Sequence, residues 1–199
     1  MSVIGWVGNT TTTWPLARIK HVCRTVGGGT PSKDKPLYWE GDIPWVSPKD
    51  MKSDCIIDTE DHITAEGLAN SATQMVPRNS VLVVMRSGIL RHSIPVATND
   101  VPVSLNQDMR AFLPDERLEP RYLARLIEGN QSELLQVWGK VGATVESLES
   151  DLIGDTLIPL PPRQEQEAII AFLDHSSTAR PRGSMHWSWR SGAFSTCLR

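Results

Sequence analysis

The chain has 199 residues, 40% of them hydrophobic and 22% charged, with a formal net charge of -3. That is enough apolar material for one ordinary domain and too much for a disordered chain. Three cysteines without metal-binding spacing, Cys23, Cys55 and Cys197, fit a reducing compartment rather than a disulfide scaffold. No apolar run approaches the ~20 residues of a membrane span, and Val3 to Val7 is too short for a signal peptide. The expected setting is cytoplasmic, with no membrane partner.

Residues 1–13 form a Thr-rich lead. From Trp14 onward the residues read as a domain, and Leu16 to Val26 is predicted as one strand ending at Gly27-Gly28-Gly29. The stretch from Gly27 to Met51 cannot be helix. Glycines followed by Thr30, Pro31 and Ser32 make a loop whose backbone can approach something closely. Lys33 and Lys35 follow, then Tyr38-Trp39 and Trp45, with Lys49 beyond. A basic loop flanked by aromatics suits a surface that grips phosphates and presses against bases. An exposed loop beside a tryptophan-anchored core is the competing reading.

Ile43 to Val46 is predicted as a strand, and Thr64 as the cap of a single helical turn. Val81 to Met85 is a continuous β-branched run, the pattern of a strand buried on both faces. It emerges into Arg86-Ser87-Gly88-Ile89-Leu90-Arg91-His92. Val96 to Thr98 and Val101 to Val103 read as short strands. Ser104 to Arg110 runs into another at Ala111 to Leu113. Pro120 suits the first position of a helix, with Tyr122, Leu123, Leu126 and Ile127 on one apolar face. Leu134, Leu135 and Trp138 predict a second helix, and Gly139 to Thr144 a loop. Leu157 to Pro162 is extended. A helix follows it, carrying acids in its first turn as the helix dipole prefers.

Charge is unevenly placed. Arg18, Lys20, Arg24, Lys33, Lys35, Lys49 and Lys52 cluster early, whereas residues 144–167 hold six acids against Arg163 alone. Opposite-sign segments permit one basic face. From His175 to Arg199 there are four arginines and no acid. This tail reads as a basic disordered extension or as the product of a shifted reading frame.

Six blocks in register carry a family resemblance. They are GGTPS at Gly28 to Ser32, GDIPWVSPKDM at Gly41 to Met51, VLVVMRSGILRHSIPVA at Val81 to Ala97, NQDM at Asn106 to Met109, GATVESL at Gly142 to Leu148, and IPLPPRQEQEAIIAFLD at Ile158 to Asp174. Along residues 14–174 the chain resembles the specificity subunit of type I restriction-modification enzymes. The resemblance implies an α+β fold: a small, irregular, mostly antiparallel sheet with peripheral helices. It divides the chain into a target-recognition domain at 14–160, the start of a spacer helix at 161–174, and the atypical tail at 175–199. Subunits of that family carry two such domains, so this chain resembles a truncated or half-length one.

The same resemblance implies double-stranded DNA as ligand, read as one half of a split site, and methyltransferase (modification) subunits as partners. Restriction subunits and a second copy of the chain are further implied partners. S-adenosylmethionine, ATP and magnesium are implied on partner subunits only, with no cofactor on this chain. Candidate DNA-contacting residues are Thr30, Ser32, Lys33, Lys35 and Lys49, together with Arg86, Ser87, Arg91 and His92. Arg matches guanine, and Asn or Gln matches adenine, so Arg86, Arg91, Asn106 and Gln107 are the candidate base readers. A structural ion pair at Arg86 and a turn cap at Asn106 are the alternatives. Trp39 and Trp45 suit the core better than base stacking. The candidate docking element is Pro161, Pro162, Glu165, Gln166, Ile169 and Phe172.

Enzymatic motifs are missing from the sequence. Leu160-Pro161-Pro162-Arg163 lacks the Asn or Asp and the aromatic that an adenine methyltransferase needs. There is no P-loop, and Pro31 interrupts the one glycine cluster. The alternatives to a non-catalytic DNA reader are a silent recognition cassette or truncated remnant, and a module that docks methyltransferase subunits without reading DNA.

Overall fold

The computed structural model describes residues 14–178. The Thr-rich lead and the atypical tail beyond Thr178 lie outside the described residues. The strands in chain order are β1 (Leu16–Arg18), β2 (Cys23–Gly27), β3 (Trp39–Val46), β4 (Cys55–Ile56), β5 (His62–Ile63), β6 (Val81–Val84), β7 (Val96–Asn99), β8 (Ser104–Leu105), β9 (Met109–Pro114) and β10 (Leu157–Pro159). The helices are α1 (Ala65–Ala69), α2 (Pro120–Gly129), α3 (Gln131–Trp138), α4 (Ser150–Asp155) and α5 (Arg163–Thr178). The α+β architecture read from the sequence is the one observed.

β6 is the centre of the molecule. Its four residues are 0% exposed, as a run of β-branched and aliphatic side chains requires when a strand is covered on both faces. Val81 and Val83 face one core with Ile19, Phe112, Tyr122, Leu123 and Trp138. Leu82 and Val84 face a second core with Val46, Ile56, Val103, Leu105 and Ala111. The period of two along one strand therefore divides the domain into two apolar layers. The sheet built on it has the order β2-β9-β6-β7-β4. All its pairs are antiparallel except β4 with β7. A smaller sheet, β5-β3-β8, lies beside the second core through Val46 and Leu105.

Helices α2 to α5 cover the first core. Pro120 begins α2, which buries Tyr122, Leu123 and Ile127, and burial pushes the Tyr122 phenol pKa upward. Trp138 at the end of α3 is 1% exposed, and its indole N–H donates to Thr156 Oγ1 at 2.8 Å. Thr64 caps α1 by accepting from the Gly67 N–H at 3.0 Å.

Two local expectations are corrected, and one helix is added. Leu16 to Val26 is not one strand. A 3-10 turn at Ile19–His21 separates β1 from β2, because β1 pairs with β10 and β2 with β9 in a different sheet. Ile19, 1% exposed, is the apolar plug of that change of direction. Val101 to Val103 contributes only an isolated bridge from Val103 to Val76, since Pro102 has no N–H for a ladder. α4 was not legible, because Ile153 is its only buried residue and Gly154 weakens any helical signal.

β1 and β10 bring the two ends of the domain together, with the Leu160 N–H donating to the Pro15 carbonyl at 2.8 Å. α5 leaves from this point and runs past Asp174 to Thr178.

Burial also decides thiol chemistry. Cys23 is buried and Cys55 exposed. Burial, with a lesser contribution from Asp115, pushes the Cys23 thiol up to about 12, so it holds no useful thiolate near neutrality. Iodoacetamide at pH 8 is expected to alkylate Cys55 and spare Cys23 in the folded chain, with both modified after denaturation. Peptide mass spectrometry reads the difference, and rapid native labelling of Cys23 would contradict the packing.

Candidate nucleic-acid interface

The loop after β2 is pinned from several sides. The Gly29 N–H donates to the Leu105 carbonyl at 2.8 Å. The Trp45 indole N–H donates to the Gly29 carbonyl at 3.0 Å, and the Trp39 indole N–H to the Ser32 carbonyl at 3.1 Å. The two rings meet edge to face, with centroids 5.1 Å apart and planes at 88°. Both tryptophans therefore act on the loop's backbone. Trp45 is 5% exposed and Trp39 half-buried. Close approach explains the glycines: a Cβ on Gly28 would lie 1.8 Å from the Asn106 carbonyl oxygen, and one on Gly29 2.7 Å from the Thr73 nitrogen.

Opposite this loop, residues 106–108 form a tight turn between β8 and β9. Asn106 is 7% exposed. Its backbone N–H donates to the Val46 carbonyl at 2.9 Å, and its side-chain Oδ1 accepts from the Asp108 N–H at 2.9 Å. This is an Asx turn, the structural alternative weighed for that residue. The turn places Gln107 on the surface.

A hydrogen-bonded chain of side chains then crosses three loops. The Thr30 hydroxyl donates to Gln107 Oε1. Gln107 Nε2 donates to Asp108 Oδ2 at 3.4 Å. Asp108 Oδ1 accepts from Arg86 Nε at 2.6 Å. The loops leave the ends of β2 and β6 and enter the start of β9. Those three strands are neighbours with β9 antiparallel to both, so all three loops open at one end of the sheet. The antiparallel ladder, not sequence proximity, assembles this edge.

Further side chains extend it. Ser87 Oγ accepts from the Ile89 N–H at 3.4 Å at the start of a 3-10 turn over Gly88–Arg91, and the Ser87 N–H donates to the Glu146 carbonyl at 3.0 Å. Arg91 pairs with the Glu146 side chain, and that bond holds the Glu146 carboxyl below its usual range. His92 closes the turn and is exposed. Ser32 is exposed, as is Lys33, which makes no ion pair among the described residues. The Lys35 amine donates to the Tyr38 hydroxyl at 3.0 Å and sits 5.0 Å from that ring's centre; the hydrogen bond raises its pKa. Lys49 does not join the edge. It pairs with Asp61 at 2.9 Å and Glu60 at 3.2 Å, and the bond to Asp61 raises its pKa.

Two members of the edge escaped sequence reasoning. Asp108 was visible only as part of the NQDM block, yet it holds both Gln107 and Arg86. Arg110 lies across from Gly27 and Val83, with a buried Nε that makes no hydrogen bond. Alternation along β9 was its only signal. Among the described residues no cluster of three or more His, Cys, Asp or Glu is placed to hold a metal ion, and no helix is long and apolar enough to cross a membrane.

The candidate docking residues divide. Gln166 is 0% exposed and turned inward. Its Oε1 accepts from the Glu119 N–H at 2.8 Å, and its Nε2 donates to the Arg117 and Pro161 carbonyls at 2.8 Å each. Pro161 is buried too, and Ile169 packs against the first core. Pro162, Glu165 and Phe172 are exposed, with Glu165 accepting from the Trp14 indole N–H at 2.8 Å.

Residues 12–178 match the family described as "Type I restriction modification DNA specificity domain". The chain belongs to that family. It is 42% identical over 153 residues to the type I restriction enzyme EcoR124I/EcoR124II specificity subunit of Escherichia coli, covering 76% of this chain and 38% of that protein. It is 29% identical over 174 residues to the MjaIX specificity subunit of Methanocaldococcus jannaschii, covering 85% of this chain and 39% of that one. The fold is similar to a solved HsdS subunit from Thermoanaerobacter tengcongensis, with a TM-score of 0.67 at 17% identity over 89% of this chain and 41% of that one. A chain from a structure on complex assembly and conformational transition of the type I R-M system gives 0.68 at 19% identity, over 86% of this chain and 40% of that one. The chain thus spans about two fifths of the length of the specificity subunits it matches. Specificity domains are recognition components, not catalytic ones.

Proposed function

We propose that this chain reads one half of a split site in double-stranded DNA, as the specificity subunit or half-subunit of a cytoplasmic type I restriction-modification complex. The observation that supports the reading best is the edge where Thr30, Gln107 and Arg86 meet. Three separate loops are locked there by backbone contacts, while their polar tips are exposed or half-exposed. Base recognition needs side chains held in register on rigid elements. Lys33 and Lys35 beside them supply the charge that grips phosphates. Partner methyltransferase subunits, carrying S-adenosylmethionine, then act on the site, and the exposed face of α5 with Pro162, Glu165 and Phe172 is where they dock.

Salt dependence tests this. Each phosphate neutralised contributes about 0.9 to the slope of log affinity against log salt. Replacing Lys33, Lys35 and Arg86 together with alanine is expected to weaken duplex binding and lower that slope by about 2 to 3. All three side chains are exposed, so folding should be preserved. An unchanged slope would contradict a DNA-gripping role and leave a module that docks partners only.

A further inference from the structure

The hydrogen-bond inventory at Gln107 goes beyond naming a DNA-binding edge, and it rests on that reading. A primary amide carries two lone pairs on oxygen and two N–H donors. One lone pair of Gln107 is occupied by the Thr30 hydroxyl. One N–H is directed to Asp108 Oδ2. Asp108 is itself held: Oδ1 accepts from Arg86 Nε, and its backbone N–H is bound by Asn106. The amide is therefore anchored at both ends, and its two faces are not interchangeable. The Asp108 carboxylate, which can only accept, fixes which end is nitrogen, and the Thr30 hydroxyl then donates to the oxygen. An inverted amide would set Nε2 against the hydroxyl and Oε1 against a carboxylate, an acceptor facing an acceptor.

What is left to Gln107 is one acceptor and one donor, on an exposed side chain. Among the base edges of the major groove, adenine alone offers a donor and an acceptor side by side, N6–H and N7. Guanine offers two acceptors and cytosine a donor without an adjacent acceptor. We infer that Gln107 is a specificity-determining residue that reads an adenine of the half-site through its major-groove edge, with Thr30 and Asp108 as positioning residues that hold the amide in the reading orientation.

The other polar side chains of the edge do not share this property. Asn106 is buried, with its oxygen turned to the backbone, and Arg91 is paired with Glu146. Arg86 keeps its two terminal nitrogens free of hydrogen bonds among the described residues while its Nε is held, and donors alone match guanine rather than adenine.

The test uses the full chain and duplexes carrying each of the four base pairs at every position of the half-site that the wild type selects. Wild type is expected to prefer adenine at one position by about tenfold to a hundredfold, the discrimination a bidentate contact gives. Gln107→Glu replaces the donor with an acceptor and should move the preference at that position to cytosine. Gln107→Ala should flatten it there and nowhere else. Thr30→Val should broaden the same position, and Thr30→Ser should restore it, which a merely structural threonine would not do. If both Gln107 variants retain the wild-type preference at every position, the inference is overturned while the DNA-reading function stands. If wild type selects no half-site at all, the reading on which it rests fails, and the inference falls with it.

Discussion

Gly28→Ala is expected to destabilise the folded chain by about 2 kcal/mol and to abolish sequence-selective DNA binding. The added methyl carbon would lie 1.8 Å from the Asn106 carbonyl oxygen, 2.5 Å from its carbon and 2.6 Å from the Leu105 carbonyl oxygen. All three are backbone atoms of the segment that carries Gln107. No rotamer change relieves such a contact, so the loop and the turn must move apart. The bonds from Gly29 to Leu105 and from Thr30 to Gln107 are the first to go. Gly27→Ala is the control, since a methyl there meets nothing within 4 Å. It should leave stability within about 0.5 kcal/mol. Urea midpoints and duplex titrations of the two variants decide the matter. A Gly28→Ala chain as stable and selective as wild type would mean that the loop does not lie against residues 105–106.

Gln166→Leu is expected to have the larger effect on stability, about 3 kcal/mol or more. Leucine is of similar size but makes none of the three hydrogen bonds of Gln166. The Glu119 N–H and the Arg117 and Pro161 carbonyls would be left unpaired beneath α5. Each unsatisfied buried polar group costs about 1–3 kcal/mol, with less than full additivity. The consequence reaches beyond folding. Among the described side chains of α5, Gln166 and Ile170 are the buried ones, and Asp174 adds ion pairs to Arg121 at 2.5 Å and Arg125 at 2.8 Å. These contacts set the direction in which α5 leaves the domain. Hydrogen exchange is expected to show α5 amides losing protection in Gln166→Leu before those of β6. Gln164→Ala, on the exposed face, should leave both stability and exchange unchanged. Equal stability of Gln166→Leu and wild type would contradict this anchoring.

The contrast between Gln166 and Gln164 marks where sequence reasoning reached its limit. Both are polar residues at the start of one helix, and nothing local says that one is entirely enclosed. Its three partners come from residues 117, 119 and 161, and only the fold assembles them. Strong local physics was legible. The run Val81 to Val84 stated its own burial, Pro120 marked the start of α2, and Thr64 marked the cap of α1. The glycines at 28 and 29 announced a close approach without saying to what. The break at Ile19–His21 depends on β1 and β2 joining different sheets, a tertiary decision that an uninterrupted apolar-polar stretch does not encode. At the reading edge, Thr30, Arg86 and Gln107 could each be nominated by chemistry. That Asp108 joins two of them follows from the β2-β9-β6 strand order.

Selection from a randomised duplex library by the wild-type chain, with and without a partner methyltransferase subunit and at low and near-physiological salt, tests the central claim most directly. Enrichment of one short half-site, lost in Gly28→Ala and kept in Gly27→Ala, is the result expected of a recognition edge built on the Gly28 loop. Failure to enrich any sequence, even with the partner present at low salt, would contradict it.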